Sequence, residues 1–147
     1  MSDTDISVLN GLIKTTLDSM KGYEDAAKDA ESTQFATMFA DFARDRAQVA
    51  TKLQNQVRTL GGEPEQDSSM LAAAHRTFMD LKQAITGKDD KAIINEVERG
   101  EDHIKAKYED AMKDTDGSPA TQAIIKDGFA SVREGHDKMS ALKHSIA

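Results

Sequence analysis

Three carboxylates, an arginine and a histidine stand where a helical repeat calls for hydrophobes: Glu24, Asp45, Arg46, Glu101 and His136. Glu101 is the clearest case. Read in steps of three and four, its segment runs Ile94, Val97, Glu101, Ile104, Tyr108, Ala111, so a charge sits on the apolar seam. Gly100 beside it is a poor helix-interior residue, costing about 1 kcal/mol against alanine. Local rule-breaking of this kind marks functional or strained positions. Glu24 extends the ladder Ile13, Leu17, Met20 and precedes Ala27, while Asp45 and Arg46 interrupt the run Phe35, Phe39, Phe42, Val49, Leu53. His136, next to Gly135, interrupts Ile125, Phe129, Val132, Met139.

Such a set can do one of two kinds of chemistry. Carboxylates and an imidazole converging between helices can hold iron or manganese. Glu24, Asp45, Glu101 and His136 would then be the ligands, with Tyr23 and Tyr108 behind them. Alternatively Arg46 supplies the positive charge itself, and Glu24, Asp45, Arg46, Glu101 and His136 form a buried polar layer of ion pairs and hydrogen bonds. Paired buried charges add little net stability but can fix register. The sequence leaves both open. The usual catalytic signatures are missing: no Gly-rich phosphate loop, nucleophile elbow or Ser/His/Asp arrangement occurs. Asp114-x-Asp116-Gly117 resembles the start of a calcium loop, but the later ligands are lacking, so it reads as a turn. His75 lies on an apolar ladder and reads as a hydrogen-bonded core histidine.

The elements that must position these residues are all helical. Periodicity predicts helices over 6–30, 34–60, 69–86, 91–113 and 120–145, with residues 1–5 as a frayed start. Ser32-Thr33 supplies cap chemistry between the first two, and Gly61-Gly62-Glu63-Pro64 ends the second. Pro119 suits the first position of the last helix. A two-residue connection makes the first two helices antiparallel neighbours. The shorter 69–86 segment, roughly 27 Å if helical, can carry the chain back along the bundle. The long helices then run up, down, down, up, with a five-helix up-and-down array as the alternative; in the crossover arrangement Glu24, Asp41, Asp45, Glu98, Glu101, Glu134 and His136 fall within about two turns of one height. Gly22, Gly100 and Gly135 lie in the same layer.

The 147 residues make one domain, with no cysteine for disulfides or thiolate metal sites. A net charge of −7, with basic residues interleaved among acids, argues against nucleic acid as a partner. No apolar run approaches the roughly 20 residues of a membrane span, and no signal peptide precedes the first helix. A soluble, cytoplasmic protein with no membrane partner is the expectation.

Leu9-Asn10-Gly11-Leu12-Ile13, Gly22-Tyr23-Glu24, Leu60-Gly61-Gly62, His75-Arg76-Thr77-Phe78, Glu98-Arg99-Gly100-Glu101-Asp102 and Tyr108 together carry a resemblance. The chain resembles a bacterial family of ferritin-like bundle proteins of uncharacterised function. That resemblance implies an all-α, ferritin-like four-helix bundle whose fifth, shorter helix is the crossover. It implies no established activity, substrate or metal. The first functional expectation is a non-catalytic, stress-associated protein acting through protein–protein contacts, without a cofactor. The alternative is a carboxylate-bridged iron or manganese protein that oxidises or stores iron. A homo-oligomer is expected, a dimer above all, because the 69–86 segment adds an apolar face that four helices need not cover.

Overall fold

The computed structural model describes residues 2–65, 90–114 and 119–145. They form four α-helices: α1 (Ser2–Asp29), α2 (Thr33–Thr59), α3 (Asp90–Asp114) and α4 (Pro119–Ser145). Each is about 40 Å long at 1.5 Å per residue. The helix expected over 69–86, His75 within it, and the turn at 115–118 lie outside the described residues. Helix α1 begins at Ser2 instead of Ile6. Asp5 there places negative charge near the positive end of the helix dipole, which favours helix over fraying.

The boundaries follow from local chemistry. Ser32 caps α2, its Oγ accepting from Phe35 N at 3.4 Å. The other end of α2 closes in a Schellman arrangement. Gly62 N donates to Val57 O at 2.9 Å and Gly61 N to Arg58 O at 3.0 Å. This turn needs a left-handed residue, and Gly61 supplies it at φ 86°.

Helix α1 packs on α2 and α3, and α4 packs on α3 and α2, leaving α1/α4 and α2/α3 as the diagonals. The core forms two clusters. The lower one gathers Leu9, Leu12 and Ile13 of α1, Val49, Leu53 and Val57 of α2, Ile104, Tyr108 and Ala111 of α3, and Ile125 and Val132 of α4. The upper one gathers Tyr23, Ala26, Phe39, Ala43, Ile93, Ile94 and Met139. Early α3 therefore meets late α1, early α2 and late α4. The helices run up, down, down, up. This is an all-α four-helix bundle, and α2 ends at the opposite end of the bundle from the start of α3. Among the described residues, no helix is long and apolar enough to cross a membrane.

Candidate functional site

Between the two core clusters the apolar packing stops, on every helix at the same height. Ser19 of α1, Arg46 of α2, Glu101 of α3 and Gly135 of α4 fill that level. Arg46 is 0 % exposed and Glu101 2 %. The guanidinium meets the carboxylate as a two-pronged fork, Nη1 to Oε1 at 2.7 Å and Nη2 to Oε2 at 2.6 Å. Nη1 also donates to Ser19 Oγ at 2.7 Å. Charge-assisted, bidentate bonds of this kind are the strong ones.

Burial alone would push the Arg46 guanidinium down, but the hydrogen bonds and charge of Glu101 outweigh it and hold it above its ordinary value. Tyr23 leans on the same pair. The Arg46 Cζ lies 5.4 Å from its ring centroid, within cation–π range. Phe42 also stacks with this ring, centroids 5.2 Å apart. Burial first, and the nearby Glu101 charge second, raise the Tyr23 hydroxyl well above the usual phenol value. Among the described residues, its oxygen has no hydrogen-bond partner, nor has Arg46 Nε.

Helix α4 contributes to this layer by leaving something out. A Cβ on Gly135 would lie 2.4 Å from Arg46 Nη2 and 2.6 Å from Glu101 Oε2. Only glycine leaves room for the fork. One layer down, the Tyr108 hydroxyl is bonded to Thr16 Oγ1 at 2.6 Å in the interior. Burial pushes it up to about 12, with the Thr16 bond and Arg46 acting the other way. Gly128 makes space there, since a Cβ would fall 2.9 Å from Tyr108 Cε2.

Of the five residues expected in the buried layer, the structure brings two together, Arg46 and Glu101. Glu24 is exposed, a correction with a simple cause. Tyr23 takes the inward position on α1, and the next residue is rotated about 100° away from it. Asp45 is half-buried and points to α4, where Ser131 Oγ donates to it. His136 is also half-buried, its Nε2 2.5 Å from Asp102 Oδ1 and its Nδ1 3.4 Å from Asp137 Oδ1. It ties α3 to α4 near the surface, as Lys143 and Glu98 do at 2.9 Å. Tyr23 and Tyr108, expected behind a metal, instead pack above and below the ion pair. Gly100 is exposed with open space around it, so it opens no room in the layer. Ser19 went unnoticed in the sequence, while Thr16 and Gly128 fall on the seams there, as alternatives to Leu17 and Phe129, without a role in the layer. Their small or polar character at inward positions was the available signal.

Residues 4–114 match the model of a family described as a domain of unknown function, DUF2383. The chain belongs to that family. No match is found among curated proteins. Two solved structures are similar to this DUF2383 chain over 99 % of its length. One is a dodecameric thioferritin, the bacterioferritin-related protein of Bacteroides fragilis, with a TM-score of 0.79 and 16 % identity over 88 % of that chain. The other is a two-domain protein from Anabaena variabilis with DJ-1/ThiJ/PfpI-like and ferritin-like domains, with a TM-score of 0.78 and 11 % identity. The present chain spans 37 % of the latter's length. At these identities the likeness shows a ferritin-like fold.

Ferritin-like bundles hold paired metals with a Glu from each of two helices and a Glu-x-x-His from each of the other two. The described residues of this DUF2383 chain do not fit that group. Glu101 is the carboxylate inside the layer, and both of its oxygens are already bonded to Arg46. Glu24, Asp45 and His136 point elsewhere. Among the described residues, no three His, Asp or Glu side chains come close enough to share an ion.

Proposed function

We propose that this protein is a non-catalytic ferritin-like bundle that works through protein–protein contacts, its own copies first. The observation that carries this reading is the Arg46–Glu101 fork. In a metal-holding bundle the central carboxylates are neutralised by a cation from solution. Here the cation is covalently part of α2, stays protonated at any physiological pH, and occupies both oxygens of the buried carboxylate. A centre closed in this way has no open ligand position for iron, oxygen or substrate. The chemistry left to the protein is recognition at its surface. A ferritin-like neighbour of the same fold forms a dodecamer, which supports self-association as the first contact to test; a dimer is the assembly proposed.

The test is protein purified without chelator and loaded anaerobically with ferrous iron, then exposed to oxygen. The expected result is no stoichiometric uptake and an unshifted melting temperature. About two irons per chain, with an oxygen-dependent absorbance change, would overturn the reading. Sedimentation velocity across a concentration series checks the contact half. A species of monomer mass at every concentration would remove self-association from the proposal.

A further inference from the structure

The outer face between α1 and α2 carries an open groove of about 370 Å³. Its floor is apolar, made by Met20 and Ala27 of α1 and by Ala40, Ala43 and Ala47 of α2. Its walls are charged, and two contacts fix which charges stand level. Arg46 donates to Ser19 at 2.7 Å, and Tyr23 stacks with Phe42. Because α1 and α2 run antiparallel, Lys21 is then level with Arg44. Three residues closer to the α1–α2 turn, Glu24 is level with Asp41. All four residues are exposed. The groove therefore carries a positive rung, Lys21 and Arg44. About 4.5 Å further along, at 1.5 Å per residue, it carries a negative rung, Glu24 and Asp41. Arg44 and Asp41 are also paired along α2.

This pattern is its own complement. Consider a two-fold axis running across the groove, at right angles to the helices and midway between the rungs. It places a second copy face to face and upside down, α1 on α1 and α2 on α2. Lys21 then faces the partner's Glu24, and Arg44 faces the partner's Asp41. The axis repeats both pairs, so four ion pairs form. With the copies parallel, α1 of one lies on α2 of the other and like rungs coincide. Lys21 would meet the partner's Arg44, and Glu24 the partner's Asp41. Charge thus selects the antiparallel register, by penalising the alternative as well as by attraction. Exposed ion pairs are worth little on their own, so the apolar floor has to supply the affinity. Alanines let two helix pairs approach closely. Met20 is long and adaptable enough to fill space between facing grooves.

We infer that the α1–α2 face is where two copies of this chain meet, antiparallel, with Lys21 and Arg44 of each on the partner's Glu24 and Asp41. Such a face presupposes the self-association proposed above and gives it a surface.

Sedimentation equilibrium of wild type, two double variants and their combination tests it. Lys21→Glu with Arg44→Glu makes all four positions acidic, and Glu24→Lys with Asp41→Lys makes all four basic. Each double is expected to weaken dimerisation by about tenfold or more, four attractions having become repulsions, with helical content unchanged. An equimolar mixture of the two is expected to form a dimer that neither forms alone. The quadruple variant exchanges the rungs and restores every pair, so it is expected to dimerise within about threefold of wild type. Wild-type association that neither double weakens would overturn the inference and leave self-association standing on another face. A quadruple as weak as the doubles would overturn the antiparallel register. A monomer at every concentration would remove the self-association reading and this face with it.

Discussion

Removing the guanidinium is the sharpest perturbation. In Arg46→Ala the Glu101 carboxylate keeps its 2 % exposure but loses both charge-assisted partners, and Ser19 loses a donor. Breaking a buried pair from one side costs about 3–5 kcal/mol, because an uncompensated charge is left inside. Single domains are stable by about 5–15 kcal/mol, so roughly a fifth of the margin, up to all of it, disappears. The size of that loss follows from desolvation, and a second variant isolates the cause. Arg46→Met with Glu101→Leu takes both charges out and refills much of the volume. Such replacements are often neutral, or stabilising by about 1–4 kcal/mol. Urea titration followed by circular dichroism gives the free energies of wild type, Arg46→Ala, Glu101→Ala and the Met/Leu double. The expected pattern is two severe singles and a double close to wild type. An Arg46→Ala loss under about 1 kcal/mol would refute the reasoning, since the median exposed ion pair is worth no more than that. A double as damaged as the sum of the singles would refute it too.

The remaining predictions use the same layer. The chain's two tyrosines, Tyr23 and Tyr108, are both buried with raised hydroxyls, and there is no tryptophan. Phenolate absorbance should therefore stay flat through the ordinary tyrosine range near pH 10 and appear only together with loss of helix. The sign follows from the upward shift: the unfolded chain ionises first, so stability is intact below about pH 10 and falls as pH rises toward 12. For Tyr108 alone the shift is worth roughly 3 kcal/mol. Early phenolate signal with full helicity would contradict the burial of these rings. Gly135→Ala should destabilise by about 2–4 kcal/mol in denaturant titration, through overpacking and a displaced fork. Gly100→Ala, in open space, should instead stabilise by up to about 1 kcal/mol. Equal effects of the two substitutions would remove Gly135 from the account.

The bundle, its helix order and the interior position of Glu101 and Arg46 were legible because the α2 and α3 ladders are otherwise unbroken. On α3 Glu101 was the charge on the seam; on α2 the seam offered both Asp45 and Arg46, and the structure buries Arg46. On α1 the same method failed. The seam there offers Thr16 or Leu17 and Tyr23 or Glu24, and following the apolar residues leads from Leu17 through Met20 to Glu24, which is exposed. The inward line runs through Thr16 and Tyr23, whose polar tips disguise it. Thr16 can be inside because Tyr108 answers its hydroxyl from α3, and no pattern within α1 reveals a partner 92 residues away. The glycines taught the same lesson. Gly100 and Gly135 look alike in sequence, and only the neighbours of each distinguish an open surface from a space kept for another side chain.

The Arg46–Glu101 fork joins α2 to α3, which are diagonal and share no other large contact surface. It thus acts as a strut across the bundle's width, at the boundary between two separate apolar clusters. Opening of one end need not spread to the other, because a spreading front must first strip a charged pair of its partner. The bundle should therefore behave as two short cooperative segments pinned at the waist. Amides of the upper cluster (near Phe39 and Ile93) would exchange in a different class from those near Leu53 and Ile104. Removing both charges would fuse the two classes into one, a change in cooperativity that need not alter total stability.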